Sequence, residues 1–405
     1  MKWDSIQLGE VIDVNHGYAF KSHGFADAGD LVLLTPGNCH ESGGLKLKGE
    51  KEKFYVGEFP SEFLLSEGDM LVVMTDLIST APILGGSFVI PENNRFLHNQ
   101  RLGLVQVTDE TRIDKTFLYY LLNTHDYRAQ VRGSASGATV RHTSPGRIRG
   151  CKVRVPREVT YQHQIGATLS AYDDLIENNR RRMALLEEAA RQLYREWFVR
   201  LRFPGHEHTR ITNGVPEGWE PKSLGDLCDE VRETVRPDAL EPDTPYIGLE
   251  HMPRRSISLS DWGTAEEVTS SKHRFREGEI LFGKIRPYFH KVGVAFVDGV
   301  ASSDAIVIRP SEPKVRGFVL LTVSSDPFIA VTAQTMREGS KMPRADWKQM
   351  QAHSTPLPPD GLLGSFEIAI QPIVKQLKSL TFTNQKLRAA RDLLLPRLMS
   401  GEIAV

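Results

Sequence analysis

The sequence has 405 residues, enough for two or three domains, and its 40% hydrophobic and 25% charged content is ordinary for a soluble globular protein and excludes a disordered chain. Fifty basic against fifty-one acidic residues give a formal net charge of −1, so DNA binding would need basic residues gathered on one surface or shared with a partner. The three cysteines are widely spaced, which predicts neither a disulfide framework nor a zinc module. The sequence has no signal-peptide core and no bilayer-length apolar run, so a cytoplasmic protein with no membrane partner is predicted.

In chain order, the sequence shows a duplicated unit of domain and helix. The segment WDSIQLGEVID at 3–13 matches WEPKSLGDLCD at 219–229 in the spacing of its Trp, Leu-Gly and Asp. Farther on, EGDMLVVM at 67–74 corresponds to EGEILFGK at 277–284. The period is roughly 200 residues, far beyond the 20 to 50 residues of solenoid repeats. An internal repeat is therefore predicted.

Each half also carries short apolar runs bounded by Gly, Pro, Asn or Asp. These runs, such as LGLVQV at 102–107 and AIVIRP at 305–310, predict strands of a mixed or antiparallel sheet. Helical segments are predicted at 117–131 and 318–334. The predicted fold class of both domains is α+β.

The segment 162–200 has apolar residues at alternating steps of four and three, which predicts a long coiled-coil helix that requires a partner helix. About 38 helical residues would form a rod of about 57 Å. Its polar flanks, including Asp173, Asp174, Glu177, Arg180, Arg181, Arg182, Glu187 and Glu188, are predicted to lie in water. The seam is Ile165, Leu169, Tyr172, Ile176, Asn179, Met183, Leu186, Ala190, Leu193 and Trp197.

A second seam in 366–399 predicts the partner helix, with Ile370, Ile373, Leu377, Leu380, Asn384, Leu387, Arg391 and Leu394. Asn179 and Asn384 lie near the middle of their seams, and a buried Asn pair fixes register at some cost in stability. The alternative is that each Asn lies at a solvated edge. Pro372 and Pro396 predict a second helix that is either shorter than the pattern or kinked at both ends.

These patterns predict four segments. Two α+β domains span 1–157 and 205–360, and long helices span 158–204 and 361–405. The two helices are predicted to pair as an antiparallel coiled coil, and the repeat implies a pseudo-two-fold relation between the halves.

The chain resembles the specificity subunit of a type I restriction-modification system. The resemblance lies in GYAFKS at 17–22, HNQRL at 98–102, YREWF at 194–198 and LRAARDLLLPRLMSGEI at 387–403, and it covers essentially the whole chain. The second helix departs from the family pattern because Ala-Ile-Gln at 369–371 replaces the Glu-Gln pair that usually opens it.

The resemblance implies a DNA-binding subunit that is not itself an enzyme. Each target recognition domain would bind one half of a bipartite, asymmetric DNA sequence. The helices would fix the gap and dock two methyltransferase subunits, and restriction would require motor-nuclease subunits. S-adenosylmethionine would bind the methyltransferase, and ATP with Mg would bind the motor, so no cofactor is expected in this chain.

The motifs of catalysis are missing from the sequence. It has no FxGxG loop, no NPPY-like or DPPY-like tetrapeptide and no P-loop, and its acidic residues are scattered rather than clustered. No catalytic residue and no metal site are therefore predicted.

Two rival classes stay open from the residues alone. A scaffold protein could hold paired domains on two helices, and it would show no salt-sensitive DNA binding. A self-contained methyltransferase or nuclease is the enzyme alternative. Stoichiometric S-adenosylmethionine binding by the chain alone would overturn the non-catalytic interpretation.

Candidate DNA contacts are chosen by residue type, because Arg, Lys, Asn, Gln, Ser and Thr on loops reach phosphates and base edges. The loop SASGATVRHTSPGR at 134–147 carries the most weight, since it combines glycines and hydroxyls with two arginines. In the first domain the candidates are Tyr18, Lys21, Thr75, Asn99, Gln100, Arg101, Arg132, Ser134, Ser136, Thr139, Arg141 and His142. In the second they are Lys284, Arg286, Tyr288, Lys291, Arg337, Ser340, Lys341 and Arg344.

Each candidate has a simpler alternative. Any single Arg or Lys could be a solvated surface charge, and Tyr18 could be a packing residue. Trp197 and Phe198 are interpreted as part of the methyltransferase dock, with the core of the adjoining domain as the alternative.

Overall fold

A computed structural model describes residues 2–334 and 343–405. The chain divides into two compact units. Unit 1 comprises Met1–Leu175 with Leu387–Val405, and unit 2 comprises Ile176–Lys386.

Unit 1 is built on short strands arranged in small sheets. One four-stranded sheet has the order β2-β10-β6-β8 and is antiparallel, and a second has the order β3-β5-β4-β9 with one parallel pair. Two further pairs join β1 to β12 and β7 to β11. The strands are β1 Trp3–Gln7, β2 Ile12–His16, β3 Phe25–Ala26, β4 Val32–Leu33, β5 Phe54–Tyr55, β6 Met70–Val73, β7 Thr75–Asp76, β8 Ser87–Val89, β9 Phe96–Leu97, β10 Leu102–Val107, β11 Arg141–His142 and β12 Lys152–Pro156.

Three helices of unit 1 lie between β10 and β12. They are α1 Lys115–Leu121, α2 His125–Ser134 and α3 Pro145–Arg149. The segment predicted to be helical at 117–131 is therefore two helices rather than one. Thr124 has an extended backbone and caps α2 with its side chain, so the chain starts a new helix there.

The core of unit 1 forms between the β2-β10-β6-β8 sheet and the parts of two long helices that belong to this unit. α4 is Val159–Tyr194 and α8 is Asp360–Ser400. Ile165 and Leu169 of α4 and Leu398 of α8 are buried with Phe117 in one cluster. The domain thus buries one face of each helix that meets it.

Unit 2 has a five-stranded sheet of order β16-β25-β22-β23-β19 and another of order β17-β21-β24-β18-β20, each with one parallel pair. A separate pair joins β15 to β26. The strands are β13 Ile211–Thr212, β14 Val215–Pro216, β15 Glu220–Ser223, β16 Cys228–Val231, β17 Thr234–Val235, β18 Pro245–Ile247, β19 Ser258–Leu259, β20 Gly263–Thr264, β21 Lys272–Phe275, β22 Ile280–Gly283, β23 Val292–Ala295, β24 Gly299–Ala301, β25 Ala305–Pro310 and β26 Ser354–Leu357.

The shorter helices of unit 2 are α5 Arg316–Val323, α6 Asp326–Gln334 and α7 Trp347–Met350. The segment predicted as one helix at 318–334 is two, because the chain turns at Ser324 and Ser325. Across the described residues, no single helix is long and apolar enough to cross a membrane, although Pro313–Val323 and Asp326–Gln334 pass that test as a pair bent by 64°.

The second long helix is continuous over 41 residues, from Asp360 to Ser400, and includes both Pro372 and Pro396. Of the two predicted alternatives, a helix shorter than the seam pattern is therefore excluded. Its buried face supplies the reason: Ile370 and Leu377 pack into the core of unit 2, and Leu398 packs into the core of unit 1. Such tertiary packing outweighs the backbone hydrogen bond that each proline removes.

Polar contacts join the two long helices inside each unit. In unit 2, Asn179 donates a hydrogen bond from Nδ2 to Oδ1 of Asn384 at 2.9 Å, and both residues are buried. In unit 1, Arg391 pairs with Asp173, which also accepts a 2.7 Å hydrogen bond from the Tyr120 hydroxyl. Asp173 was predicted to lie in water. It is only partly exposed, because Arg391 and Tyr120 cover it.

Glu187 was also predicted to face water, and this is wrong. The residue is 5% exposed, and its carboxylate accepts hydrogen bonds from the hydroxyls of Ser256 and Ser258, both at 2.6 Å. Arg191 lies one turn away and donates to it at 3.1 Å. Hydroxyl donors from the domain thus replace the water that a carboxylate normally requires.

Candidate nucleic-acid interface

Three loops meet at one edge of unit 1, which we call edge 1; it comprises residues 74–78, 98–102 and 136–147. The Met74 amide donates to the Arg101 carbonyl at 3.0 Å, and the Thr143 amide donates to the Met74 carbonyl at 2.9 Å. Met74 thereby ties the other two loops to the end of β6. Edge 1 contains many of the first-domain candidates.

The short pair of β7 with β11 places polar side chains on edge 1. The Thr75 hydroxyl lies 3.0 Å from Nδ1 of the exposed His142. Ser136 and His142 exchange two backbone hydrogen bonds of 2.9 Å, and Arg147 donates to the Ser136 hydroxyl at 3.1 Å. The weighted loop is therefore folded back on itself, with its hydroxyls and cations close together.

Arg141 is held differently from the other candidates on this loop. Its guanidinium is half-buried and donates to the carbonyl of Arg132 at 2.9 Å, at the end of α2. Ser134 and Thr139 are exposed. Arg141 thus has a role in holding the loop, whatever it contacts outside.

Tyr18 joins edge 1 through its backbone. Its amide donates to the His98 carbonyl at 2.9 Å, and its carbonyl accepts from the Gln100 amide at 3.0 Å. The ring is half-buried, with its centroid 5.3 Å from that of Phe63. Its surroundings fit the packing alternative. Lys21, Gln100 and Arg101 are exposed, and Asn99 is half-buried.

The turn that presents these residues is fixed from inside by His98. This side chain is 2% exposed, and its Nε2 lies 2.9 Å from the Leu102 carbonyl. Burial lowers the pKa of His98, so the imidazole stays neutral and donates to that carbonyl. His98 is therefore a positioning residue for Asn99, Gln100 and Arg101.

Unit 2 has an edge with the same backbone hydrogen bonds, which we call edge 2; it comprises residues 284–290, 302–305 and 343–345. The Lys284 amide donates to the Asp304 carbonyl at 2.7 Å, and the Ala345 amide donates to the Lys284 carbonyl at 2.9 Å. Lys284 thus occupies the position of Met74. By the same bonds, Asp304 occupies the position of Arg101.

The side chains of edge 2 differ from those of edge 1. Arg344 pairs with Asp304 at 3.2 Å, and Lys284 lies 3.9 Å from Glu230. Burial lowers the pKa of Lys284. Arg286 is exposed and has a φ of 49°, a backbone conformation uncommon outside glycine. One scaffold therefore presents two different chemical surfaces.

The remaining candidates of unit 2 differ in their surroundings. Lys291 is half-buried, and its ammonium contacts the Leu249 carbonyl. Arg337, Ser340 and Lys341 fall outside the described residues, so their candidacy stays a prediction. Tyr288 is 50% exposed on edge 2.

The predicted dock residues pack within unit 2. The Phe198 ring centroid lies 4.6 Å from that of Phe366 and 6.0 Å from that of Trp219. Trp197 also contacts Phe366, at 5.5 Å. These contacts fit the alternative interpretation, the core of the adjoining domain, and a role in docking stays a prediction.

Sequence reasoning by residue type missed the acidic members of both edges. Asp76 is 1% exposed at the end of β7, and Asp304 pairs with Arg344. Aligning the two halves of the sequence strand by strand would have found Asp304, because it precedes β25 as Arg101 precedes β10.

Comparison with known proteins identifies the kind of domain that carries edge 1. Residues 1–188 match the family described as the type I restriction modification DNA specificity domain. The chain is 24% identical over 345 residues to the type I restriction enzyme MjaIX specificity subunit of Methanocaldococcus jannaschii, an alignment that covers 81% of this chain and 77% of the relative. It is also 24% identical over 299 residues to the EcoDI specificity subunit of Escherichia coli, covering 68% and 65%.

The fold agrees with this result. The structure of a type I restriction-modification system S subunit from M. genitalium superposes with a TM-score of 0.60 at 15% identity, covering 98% of this chain and 96% of that one. This similarity shows the fold alone.

The class is therefore a mixed helix-and-sheet protein whose residues 1–188 match a DNA specificity domain. The resemblance predicted from the sequence motifs is confirmed: the chain is similar over most of its length to specificity subunits of type I restriction enzymes. These relatives are named as specificity subunits of restriction enzymes, which agrees with the prediction that this chain is not itself the enzyme.

Proposed function

We propose that this chain selects the DNA target of a type I restriction-modification complex, with edge 1 binding one half of a bipartite asymmetric sequence and edge 2 the other. The observation that carries the proposal is the recurrence of one backbone arrangement with different side chains. Met74 and Lys284 make equivalent pairs of hydrogen bonds, whereas Arg101 and His142 on edge 1 correspond to Asp304 and Arg344 on edge 2. Two similar scaffolds with different chemistry suit two different half-sites.

The domain plan of the proposal keeps the predicted segments. Target recognition domains span 1–157 and 205–360, and the helical segments 158–204 and 361–405 form an antiparallel coiled coil with a pseudo-two-fold relation between the halves. The Asn179–Asn384 bond in unit 2 and the Asp173–Arg391 pair in unit 1 support an antiparallel pairing, because the second pair lies earlier in one helix and later in the other than the first pair.

The helices would fix the gap between the half-sites and dock two methyltransferase subunits. Trp197 and Phe198 stay the proposed dock, together with exposed apolar residues nearby such as Val199, which is 62% exposed. S-adenosylmethionine would bind the methyltransferase, and ATP with Mg would bind motor-nuclease subunits. This chain would supply the DNA sequence preference for adenine methylation and restriction.

The test is to express the chain with its methyltransferase in cells and map methylated adenines in their DNA. The expected result is a single bipartite sequence with two different halves and a constant gap. A matched strain that lacks only this chain should show none of these marks.

Two outcomes would contradict the proposal. Methylation at a continuous or palindromic sequence would remove the assignment of one half-site to each edge. Stoichiometric binding of S-adenosylmethionine to the purified chain would return it to the enzyme class.

A further inference from the structure

Two neighbouring apolar side chains are exposed on edge 1. Leu77 and Ile78 directly follow β7 and are 62% and 54% exposed. A single exposed apolar residue needs no explanation, because folded proteins expose much apolar surface. This pair stands beside the polar groups of Thr75 and His142, and the loop that carries it is unusually well fixed.

Two buried charged residues hold that loop. Asp76 is 1% exposed, and its carboxylate accepts hydrogen bonds from the amides of Ile78 at 3.0 Å and Ile83 at 2.8 Å. Arg128 is 6% exposed, and its guanidinium donates to the Pro82 carbonyl. The exposed pair is therefore positioned before any partner arrives, which lowers the entropy lost on binding.

Unit 2 exposes an aromatic ring at the same sequence offset. Tyr288 is 50% exposed and lies four residues after Lys284, as Ile78 lies four residues after Met74. The next ring, Phe289, is covered by the Arg254 guanidinium at 3.9 Å from its centroid, which leaves Tyr288 as the outward member of the pair. The main observation is that each unit exposes an apolar side chain four residues after the residue, Met74 or Lys284, that makes the paired backbone hydrogen bonds.

We propose that Leu77 with Ile78, and separately Tyr288, make apolar contacts to the bases of the two half-sites. The inference rests on the proposed function, because it takes the edges to be DNA-binding surfaces. Apolar side chains contact thymine methyl groups in the major groove or insert against base rings at an unstacked step. The thymine methyl group and the base ring both present apolar surface of a base to these side chains.

The neighbours of these residues favour DNA over a protein partner. Ile78 follows the strand that pairs with Arg141 and His142, and Tyr288 follows Arg286. Cations and hydroxyls bind phosphates and base edges, so their place beside a small apolar surface fits contact with one base and its neighbours. A protein-binding site would need a broader apolar surface.

The test uses the full-length chain and a pool of DNA duplexes of random sequence, from which the wild-type protein selects its preferred duplex. The double variant Leu77→Ala/Ile78→Ala should bind that duplex about tenfold more weakly, and Tyr288→Ala should do the same through the other half-site. Tyr288→Phe should bind like wild type because it keeps the ring.

Val89→Ala is the matched control. Val89 is 36% exposed on β8 and pairs with Met70, at the far end of β6 from edge 1. The DNA affinity of the Val89→Ala variant should equal that of the wild type. The thermal unfolding profile of every variant should match that of the wild type, because the truncated side chains are exposed.

Duplexes with substituted bases show whether the apolar side chains contact a thymine methyl group or a base ring. Where a thymine methyl is contacted, uracil at that position weakens wild-type binding and leaves the double variant unaffected. Where a base ring is contacted, 2-aminopurine at the step brightens on wild-type binding and not with the variant.

Three results would overturn the inference. If the variants bind the selected duplex as tightly as wild type, the apolar contacts do not exist. If their DNA binding is intact but they no longer copurify with the methyltransferase, the surface is a protein dock. If the wild-type chain selects no sequence, alone or with its methyltransferase, the proposed function itself fails.

Discussion

Arg101 offers a direct test of base contact at the scale of one residue, because its side chain is exposed and its backbone position is fixed by Met74. If Arg101 contacts a base, Arg101→Ala should weaken DNA binding by about 1 to 3 kcal/mol and relax the preference at one position of one half-site. Binding to duplexes substituted at each position measures this effect.

Arg95→Ala is the control for lost charge, since Arg95 is an exposed arginine of the same unit that pairs with Glu92 at 2.5 Å. It should leave the sequence preference intact. Uniform weakening on all duplexes by Arg101→Ala, with a shallower salt dependence, would instead assign Arg101 to a phosphate.

Glu187 and Glu188 are adjacent carboxylates with opposite surroundings, which makes them a matched pair for stability. Glu187→Ala leaves the hydroxyls of Ser256 and Ser258 without their acceptor in a buried place, and it should destabilise unit 2 by about 2 to 4 kcal/mol. The Glu188 side chain is 45% exposed, so Glu188→Ala should change stability by no more than about 0.5 kcal/mol.

Hydrogen exchange of the unit 2 strands measures this difference, because a chain of two units does not justify a single two-state unfolding free energy. Equal protection in the two variants would show that the buried hydrogen bonds of Glu187 contribute no net stability.

The long helices define the next scale. If they set the gap, a heptad inserted after Leu175 of α4 and another after Lys386 of α8 should lengthen the gap in the methylated sequence and leave both half-sites unchanged. Seven helical residues add about 10.5 Å, which corresponds to at most about three base pairs at roughly 3.4 Å each. A heptad keeps the seam in register.

The control inserts the heptad into α4 alone. This displaces Asn179 from Asn384 and should reduce methylation rather than produce a longer gap. If the paired insertion leaves the gap unchanged, some other feature measures the distance.

At the scale of the whole molecule, the duplicated plan predicts that one half can replace the other. Two copies of residues 1 to about 205 should pair their α4 segments about a two-fold axis and, with the methyltransferase, mark an interrupted palindrome of the first half-site. Mass in solution and a methylation map measure the two parts of this prediction.

The seam contacts indicate how to strengthen such a dimer. Asp173 lies six residues before Asn179, and its partner Arg391 lies seven residues after Asn384. In the two-fold dimer Asn179 would face its own copy, and Asp173 would face Leu186, seven residues after Asn179. Leu186→Arg should therefore restore the missing ion pair and tighten the dimer. A fragment that folds but stays monomeric even with the methyltransferase, or that marks the original asymmetric sequence, contradicts the duplicated plan.

The sequence alone determined the features that depend on local periodicity and on matched spacing. The runs at 102–107 and 305–310 form strands with the bounds that their composition predicts. The two asparagines that bond to each other occupy the mid-seam positions that the heptad pattern assigns to them. Apolar spacing dictates which face of a helix or strand is buried, so such features need no knowledge of the rest of the chain.

Only the tertiary structure decided which polar groups are enclosed and which loops meet. Glu187 is buried because hydroxyls 69 and 71 residues away reach its carboxylate, and the helix through Pro372 continues because its opposite face packs into a domain. Edge 1 likewise forms because strands distant in sequence bring Thr75 beside His142. Local patterns cannot predict these contacts, because long-range packing determines the surroundings of each polar group.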